Sequence, residues 1–112
     1  MIRAAAENYR LDTAAVLAVA QAEGLGGGVG DNGTSFGPFQ LHIGGALPRG
    51  KDQTWAESPA GIDYALRKIA SVARGKTGRA AVEAIVRLFE RPSDPAGEIA
   101  RALAYYENWA TV

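Results

Sequence analysis

Residues 11–24, LDTAAVLAVAQAEG, decide how the rest of the chain is read. Asp12 stands where its carboxylate can cap the first free backbone N–H groups of a helix, and the alanine-rich run after it predicts that helix over about Thr13–Glu23. Val16, Val19, Ala20 and Glu23 fall at i, i+3, i+4 and i+7, so Glu23 shares a face with apolar side chains. A carboxyl group held against apolar neighbours keeps its proton to higher pH, the property a general acid needs near neutrality. The bland alternative is a solvated carboxylate at a helix end, where the macrodipole mildly disfavours it.

Downstream, ESPAGIDYALRKIASVARG predicts a helix capped by Ser58, with Pro59 in the first turn and Gly75 as its stop. Its apolar stripe is Ile62, Ala65, Leu66, Ile69, Val72 and Ala73. TGRAAVEAIVRLFERP carries the next stripe, Val82, Ile85, Val86 and Phe89, and ends at Arg91-Pro92, because the residue before proline is disfavoured in a helix. SDPAGEIARALAYYENWA begins again with Asp94 and Pro95 and buries Ile99, Ala102, Leu103 and Tyr106. With the helix-friendly MIRAAAENYR at the start, the expected fold is mainly α. Residues 24–57 show little helical pattern. A connection longer than about 15 residues is usually functional or disordered, and Phe36, Phe39, Leu41, Ile43 and Leu47 make this one too apolar for disorder. It is expected to pack on the helices as a Gly-rich active-site loop, with a short hairpin or a helical turn near Phe39–His42.

Composition narrows the partners. The 112 residues suit one domain, and 12 basic against 12 acidic residues give a net charge of zero, which disfavours nucleic acid as a partner. No cysteine is present, so thiolate metal sites and disulfides are excluded. The single histidine, His42, argues against a metal centre and against a Ser-His-Asp hydrolase built on Ser35. No cofactor is expected. Gly28, Gly30 and Gly33 have G-x-G-x-x-G spacing but follow a helix, not a strand, so a dinucleotide site is not expected. DNGTS lacks the calcium-loop spacing and its terminal Glu. Tyr105, Tyr106 and Trp109 are expected in helix packing, with a sugar cleft as the alternative use. No apolar run reaches a membrane span, and the first residues lack a signal-peptide core.

The EG at the end of a helix, the glycine-rich turn and then SFGPFQLH resemble the catalytic segment of the lysozyme-like superfamily, in particular soluble lytic transglycosylases and goose-type lysozymes. In those families a helix-ending Glu precedes a Ser-x-Gly-x-x-Gln motif, matched here by Ser35, Gly37 and Gln40. SPAGIDYALRKIA and LFERPSDPAGEIARALAYY also look like phage-tail lysozyme and transglycosylase domains. The resemblance implies one lysozyme-like catalytic domain over 1–112, whole or excised from a longer phage or cell-wall protein. It implies cleavage of the β-1,4 bond between N-acetylmuramic acid and N-acetylglucosamine, with Glu23 as general acid. Ser35, Gly37, Phe39, Gln40 and His42 would line the glycan site, and Tyr105 or Tyr106 would serve as the cleft tyrosine. Two departures stand out: Glu-Gly replaces the family's Glu-Ser, and AYYEN at 104–108 replaces AYNAG. Asp31 is the nearby candidate for a second catalytic carboxylate; its alternative is a turn residue. The implied partner is the peptidoglycan strand, met by a monomer or a part of a larger chain, in a phage virion or delivered to the bacterial wall. The competing readings are a non-catalytic wall-binding or structural module of a phage tail protein and a generic helical interaction domain.

Overall fold

The computed structural model describes residues 2–23, 29–30, 35–36, 39, 41–42 and 47–110. The fold is mainly helical. Helix α1 (Ile2–Asn8) leads through Arg10, in a left-handed conformation at φ 58°, into α2 (Thr13–Ala22). Three two-residue strands follow, β1 (Val29–Gly30), β2 (Ser35–Phe36) and β3 (Leu41–His42), paired antiparallel in the order β1-β2-β3. Val29 faces Phe36 and Gly30 faces Ser35 across the first pair; Ser35 faces His42 and Phe36 faces Leu41 across the second. The short hairpin expected near Phe39–His42 therefore forms as a small meander.

Helix α2 is the centre of the molecule. Ala15 through Ala20 are all buried, so its core section is covered all round and not along one stripe. Small side chains allow this, since alanine and valine let neighbouring helices approach closely. Packed on it are α5 (Gly78–Ala84) and α6 (Pro95–Ala110), while α4 (Pro59–Ala73) joins the same core through α1 and α5, with Leu66, Ile69, Val82, Ile85, Ile99 and Ala102 completing it. The expected caps are in place. Asp12 accepts from the Ala15 N–H at 3.2 Å, Ser58 from Gly61 at 3.1 Å and Asp94 from Gly97 at 3.1 Å. Gly75 takes φ 82° just past the end of α4, a conformation that glycine adopts without a Cβ penalty.

Two expectations need correction. Residues 24–57 contain a helix that periodicity did not reveal, α3 (Gln53–Glu57), whose Asp52 cap accepts from the Trp55 N–H at 3.0 Å. Five residues are too few to display a 3.6-residue period. Helix α3 abuts the start of α4 at Gly61, where a Cβ would lie 2.0 Å from the Trp55 carbonyl oxygen. No other residue fits that contact without moving backbone.

The second correction concerns Ile85–Glu90, which continues α5 as a π-helical stretch. The Arg91 N–H donates to the Val86 carbonyl at 2.7 Å, an i→i−5 bond, and Arg91 ends the stretch in a left-handed conformation at φ 52°. A π-turn has about 4.4 residues per turn instead of 3.6, so successive side chains advance by about 82° and not 100°. Counted from Ile85, that swings Glu90 from about 140° to about 50°, onto the buried stripe, and Leu88 from about 300° to about 246°, further from it. The side chains follow: Leu88 is 58% exposed, while Glu90 turns its Oε1 inward to a buried position.

Candidate functional site

Glu23 occupies the C-cap of α2, still in right-handed helical conformation (φ −87°, ψ −4°), and its N–H donates to the Val19 carbonyl at 3.0 Å. It is half-buried. Its position is therefore that of the last helical turn extended by one residue, projecting from the most deeply packed element of the molecule.

Both ends of α2 are tied to the final helix. At the start, the Asp12 Oδ2 accepts from the Tyr106 hydroxyl at 3.0 Å and from the Gly78 N–H at 2.8 Å, while Oδ1 makes the cap. One carboxylate thus joins α2, α5 and α6. Burial first, and the bond to Asp12 second, push the Tyr106 hydroxyl pKa above its ordinary range, so the phenol stays a donor across the physiological range. At the other end, the Trp109 indole N–H donates to the Gln21 Oε1 at 2.9 Å, two residues before Glu23. Tyr106, packed against the core, and Trp109 thus act here as hydrogen-bonding groups.

The remaining predicted site residues divide into three groups. Ser35 and His42 are brought together as direct cross-strand partners. Phe39 lies in the core at 2% exposure, so any contact it makes with a glycan falls to its backbone. Tyr106 is held by Asp12, and Tyr105 is half-buried one position before it on α6. Asp31, Gly37 and Gln40 lie outside the described residues, as do the glycines 24–28 that follow Glu23.

Sequence reasoning missed two acidic groups. Glu90 buries Oε1 without a hydrogen-bond partner, and burial raises its pKa well above the usual carboxyl range. Glu98 is 3% exposed on α6; its Oε1 accepts from the Arg101 guanidinium at 2.7 Å and its Oε2 has no partner. Among the described residues no group of three His, Cys, Asp or Glu side chains could hold a metal ion. No helix among them is long and apolar enough to cross a membrane. The chain matches no family model, no curated protein and no solved structure.

Proposed function

We propose that the chain cleaves the glycan strand of peptidoglycan, as a lytic transglycosylase or a muramidase, with Glu23 as the general acid and then the general base. The observation that carries this reading is the placement of Glu23: a half-buried carboxyl at the end of a fully packed helix, fixed from both ends by α6. A catalytic acid needs such rigidity, because small displacements of a reacting group cost large factors in rate. The resemblance of EG and SFGPFQLH to the lysozyme-like superfamily supplies the substrate, the bond between N-acetylmuramic acid and N-acetylglucosamine.

In the proposed reaction the Glu23 carboxyl gives its proton to the glycosidic oxygen as the bond to the muramyl C1 breaks, and the N-acetylglucosamine end leaves as an alcohol. The Glu23 carboxylate then takes a proton from the muramyl C6 hydroxyl, whose oxygen closes on C1 as a 1,6-anhydro ring. If a water replaces that hydroxyl, the product is a reducing end, and Asp31 becomes the candidate second carboxylate; an inverting hydrolase would hold it about 6.5–9.5 Å from Glu23. The site would act on walls reached from a phage particle or by delivery from the producing cell.

The second reading is a wall-binding module without catalysis. It is favoured by Tyr106, a candidate for the cleft tyrosine, whose hydroxyl is committed to Asp12. Mass spectrometry of soluble products from purified peptidoglycan separates the readings. Anhydromuramyl ends that vanish in Glu23→Gln establish the transglycosylase, and reducing muramyl ends establish the muramidase. Binding to the wall with no fragments released rejects both in favour of the module.

A further inference from the structure

We propose that Ile85–Glu90 is a two-state, pH-sensitive segment. With Glu90 protonated it keeps its π winding; with Glu90 ionised it rewinds as α-helix, exchanging Glu90 for Phe89 in the core and drawing Leu88 toward cover. The device belongs to the fold whether or not Glu23 is catalytic.

The two windings turn different residues inward. Counted from Ile85, the buried Ala81 and Val82 of α5 lie at about −40° and about 60°, and Val86 at about 100°, so the stripe centres at about 30°. The π winding puts Glu90 at about 50°, close to that centre, and Phe89 at about 328°, at its edge. Regular winding would put Phe89 at about 40° and Glu90 at about 140°. Leu88 would come round to about 300°, beside the edge that Ala81 marks. The structure holds the π arrangement: the Glu90 Oε1 is buried without a partner, Phe89 is half-buried against the core, and Leu88 is 58% exposed.

Each of those placements is costly, and so is Arg91, a residue with a Cβ held in left-handed conformation at φ 52°. Two things retain the wide turn. One is the 2.7 Å bond from the Arg91 N–H to the Val86 carbonyl. The other is the neutrality of Glu90, because burying a carboxylic acid costs far less than burying a carboxylate. Ionisation removes the second support, and the segment then has a second packing of similar energy to adopt.

The surroundings offer the charge no relief. The stretch packs on α2, α4, α5 and α6. Helix α2 carries no charged residue. On α4, Asp63 accepts from the Tyr9 hydroxyl, and Arg67 and Lys68 lie over the Tyr64 ring. Arg79 and Glu83 of α5 pair with each other; on α6, Arg101 pairs with Glu98, and Tyr106 donates to Asp12. None of these acts on the Glu90 carboxyl, nor do Tyr105 and Glu107 of α6 or the adjacent Arg87 and Arg91: burial alone raises it. The connection to α6 can absorb the change. Arg91, Pro92 and Ser93 precede the Asp94 cap, and Arg91 and Ser93 are exposed, so they can shift without opening the core.

The test is solution NMR through the titration of Glu90, followed at its side-chain carboxyl carbon. One proton links the two windings, so their ratio should change by about tenfold per pH unit within the transition. As pH rises, the Leu88 methyl signals should lose their broadening by a soluble paramagnetic agent. The Arg91 amide should lose protection from hydrogen exchange, corrected for its intrinsic rate, with the same midpoint. Glu90→Gln should keep the acid form at every pH. Glu98→Gln, which removes the other carboxyl with a buried unpartnered oxygen, should keep the parent's transition. Leu88 and Arg91 signals that ignore the ionisation of Glu90 overturn the proposal. So does a Glu90 carboxyl titrating in the ordinary range, a transition that survives in Glu90→Gln or disappears in Glu98→Gln, or a loss of all tertiary shifts at the Glu90 midpoint. The parent's own titration decides between the outcomes should Glu90→Gln not fold.

Discussion

Two glutamates end two helical stretches of this protein, and they are held in opposite ways. Glu23 closes α2 in regular helical geometry and remains half-buried at the surface of the core. Glu90 closes a π-helical stretch, is followed by a left-handed residue, and buries an oxygen that no donor meets. Both residues are half-buried, and the difference lies in the one Glu90 oxygen that is withdrawn from solvent. A perturbed carboxyl is often taken as the mark of a catalytic acid, yet the carboxyl raised by burial is that of Glu90, whereas the sequence motif marks Glu23. The contrast teaches that desolvation alone does not nominate a site. Accessibility to a polymer has to accompany it.

The sharpest way to break the comparison is Glu23→Gln. It should lower the rate of glycan cleavage by about 10²–10⁴-fold while leaving thermal unfolding within about 0.5 kcal/mol of the parent. Fragment release at the parental rate would remove Glu23 from the chemistry. Next in size is Asp12→Ala, which strips a cap and leaves the Gly78 N–H and Tyr106 hydroxyl without their acceptor. We expect a loss of about 2–3 kcal/mol in denaturant unfolding, with a smaller fall in cleavage rate as the helix carrying Glu23 loosens. A variant as stable as the parent would show that α2 needs no such clamp.

Glu90→Gln probes the other helix end and has the opposite sign. Because the folded protein holds this proton more tightly than the unfolded chain does, Glu90 favours folding when protonated. That advantage declines as pH rises from the ordinary carboxyl range toward the raised folded value. The amide has no proton to lose, so the variant should gain on the parent as pH rises above the ordinary carboxyl range, with the difference closing in acid. Cleavage should be unaffected. An urea-unfolding series across pH in which the two proteins run parallel would refute a buried neutral Glu90. The smallest effect is expected from Leu88→Gln, within about 0.5 kcal/mol, because the π-turn directs Leu88 outward. A loss of more than about 2 kcal/mol would contradict that outward placement.

Much of the helical framework could be read from the chain because its punctuation is local. Asp12, Ser58-Pro59 and Asp94-Pro95 act on backbone groups within three residues of themselves, and each starts the helix it predicts. Helix α3 escaped because it is shorter than the two turns needed to establish a period, although Asp52 stood ready as a cap. The π-stretch escaped for a different reason. The stripe Val82, Ile85, Val86 and Phe89 satisfies either winding, and only Leu88 and Glu90 distinguish them. At the candidate site, periodicity placed Glu23 on an apolar face, and it sits half-buried at the end of α2. The bonds that fix it, Tyr106 to Asp12 and Trp109 to Gln21, join residues 94 and 88 positions apart, and no spacing rule reaches that far.

Those distances also impose an order of events on a growing chain. Asp12 and Gln21 are made well before their partners in α6. At about 5–20 residues per second, roughly 4–18 s separate the synthesis of Gln21 from that of Trp109. During that interval α2 lacks both of its anchors, and its apolar surface has only part of its eventual cover. The arm that steadies Glu23 thus arrives only after α2, α4 and α5, so the nascent chain cannot complete these two ties until α6 has been translated.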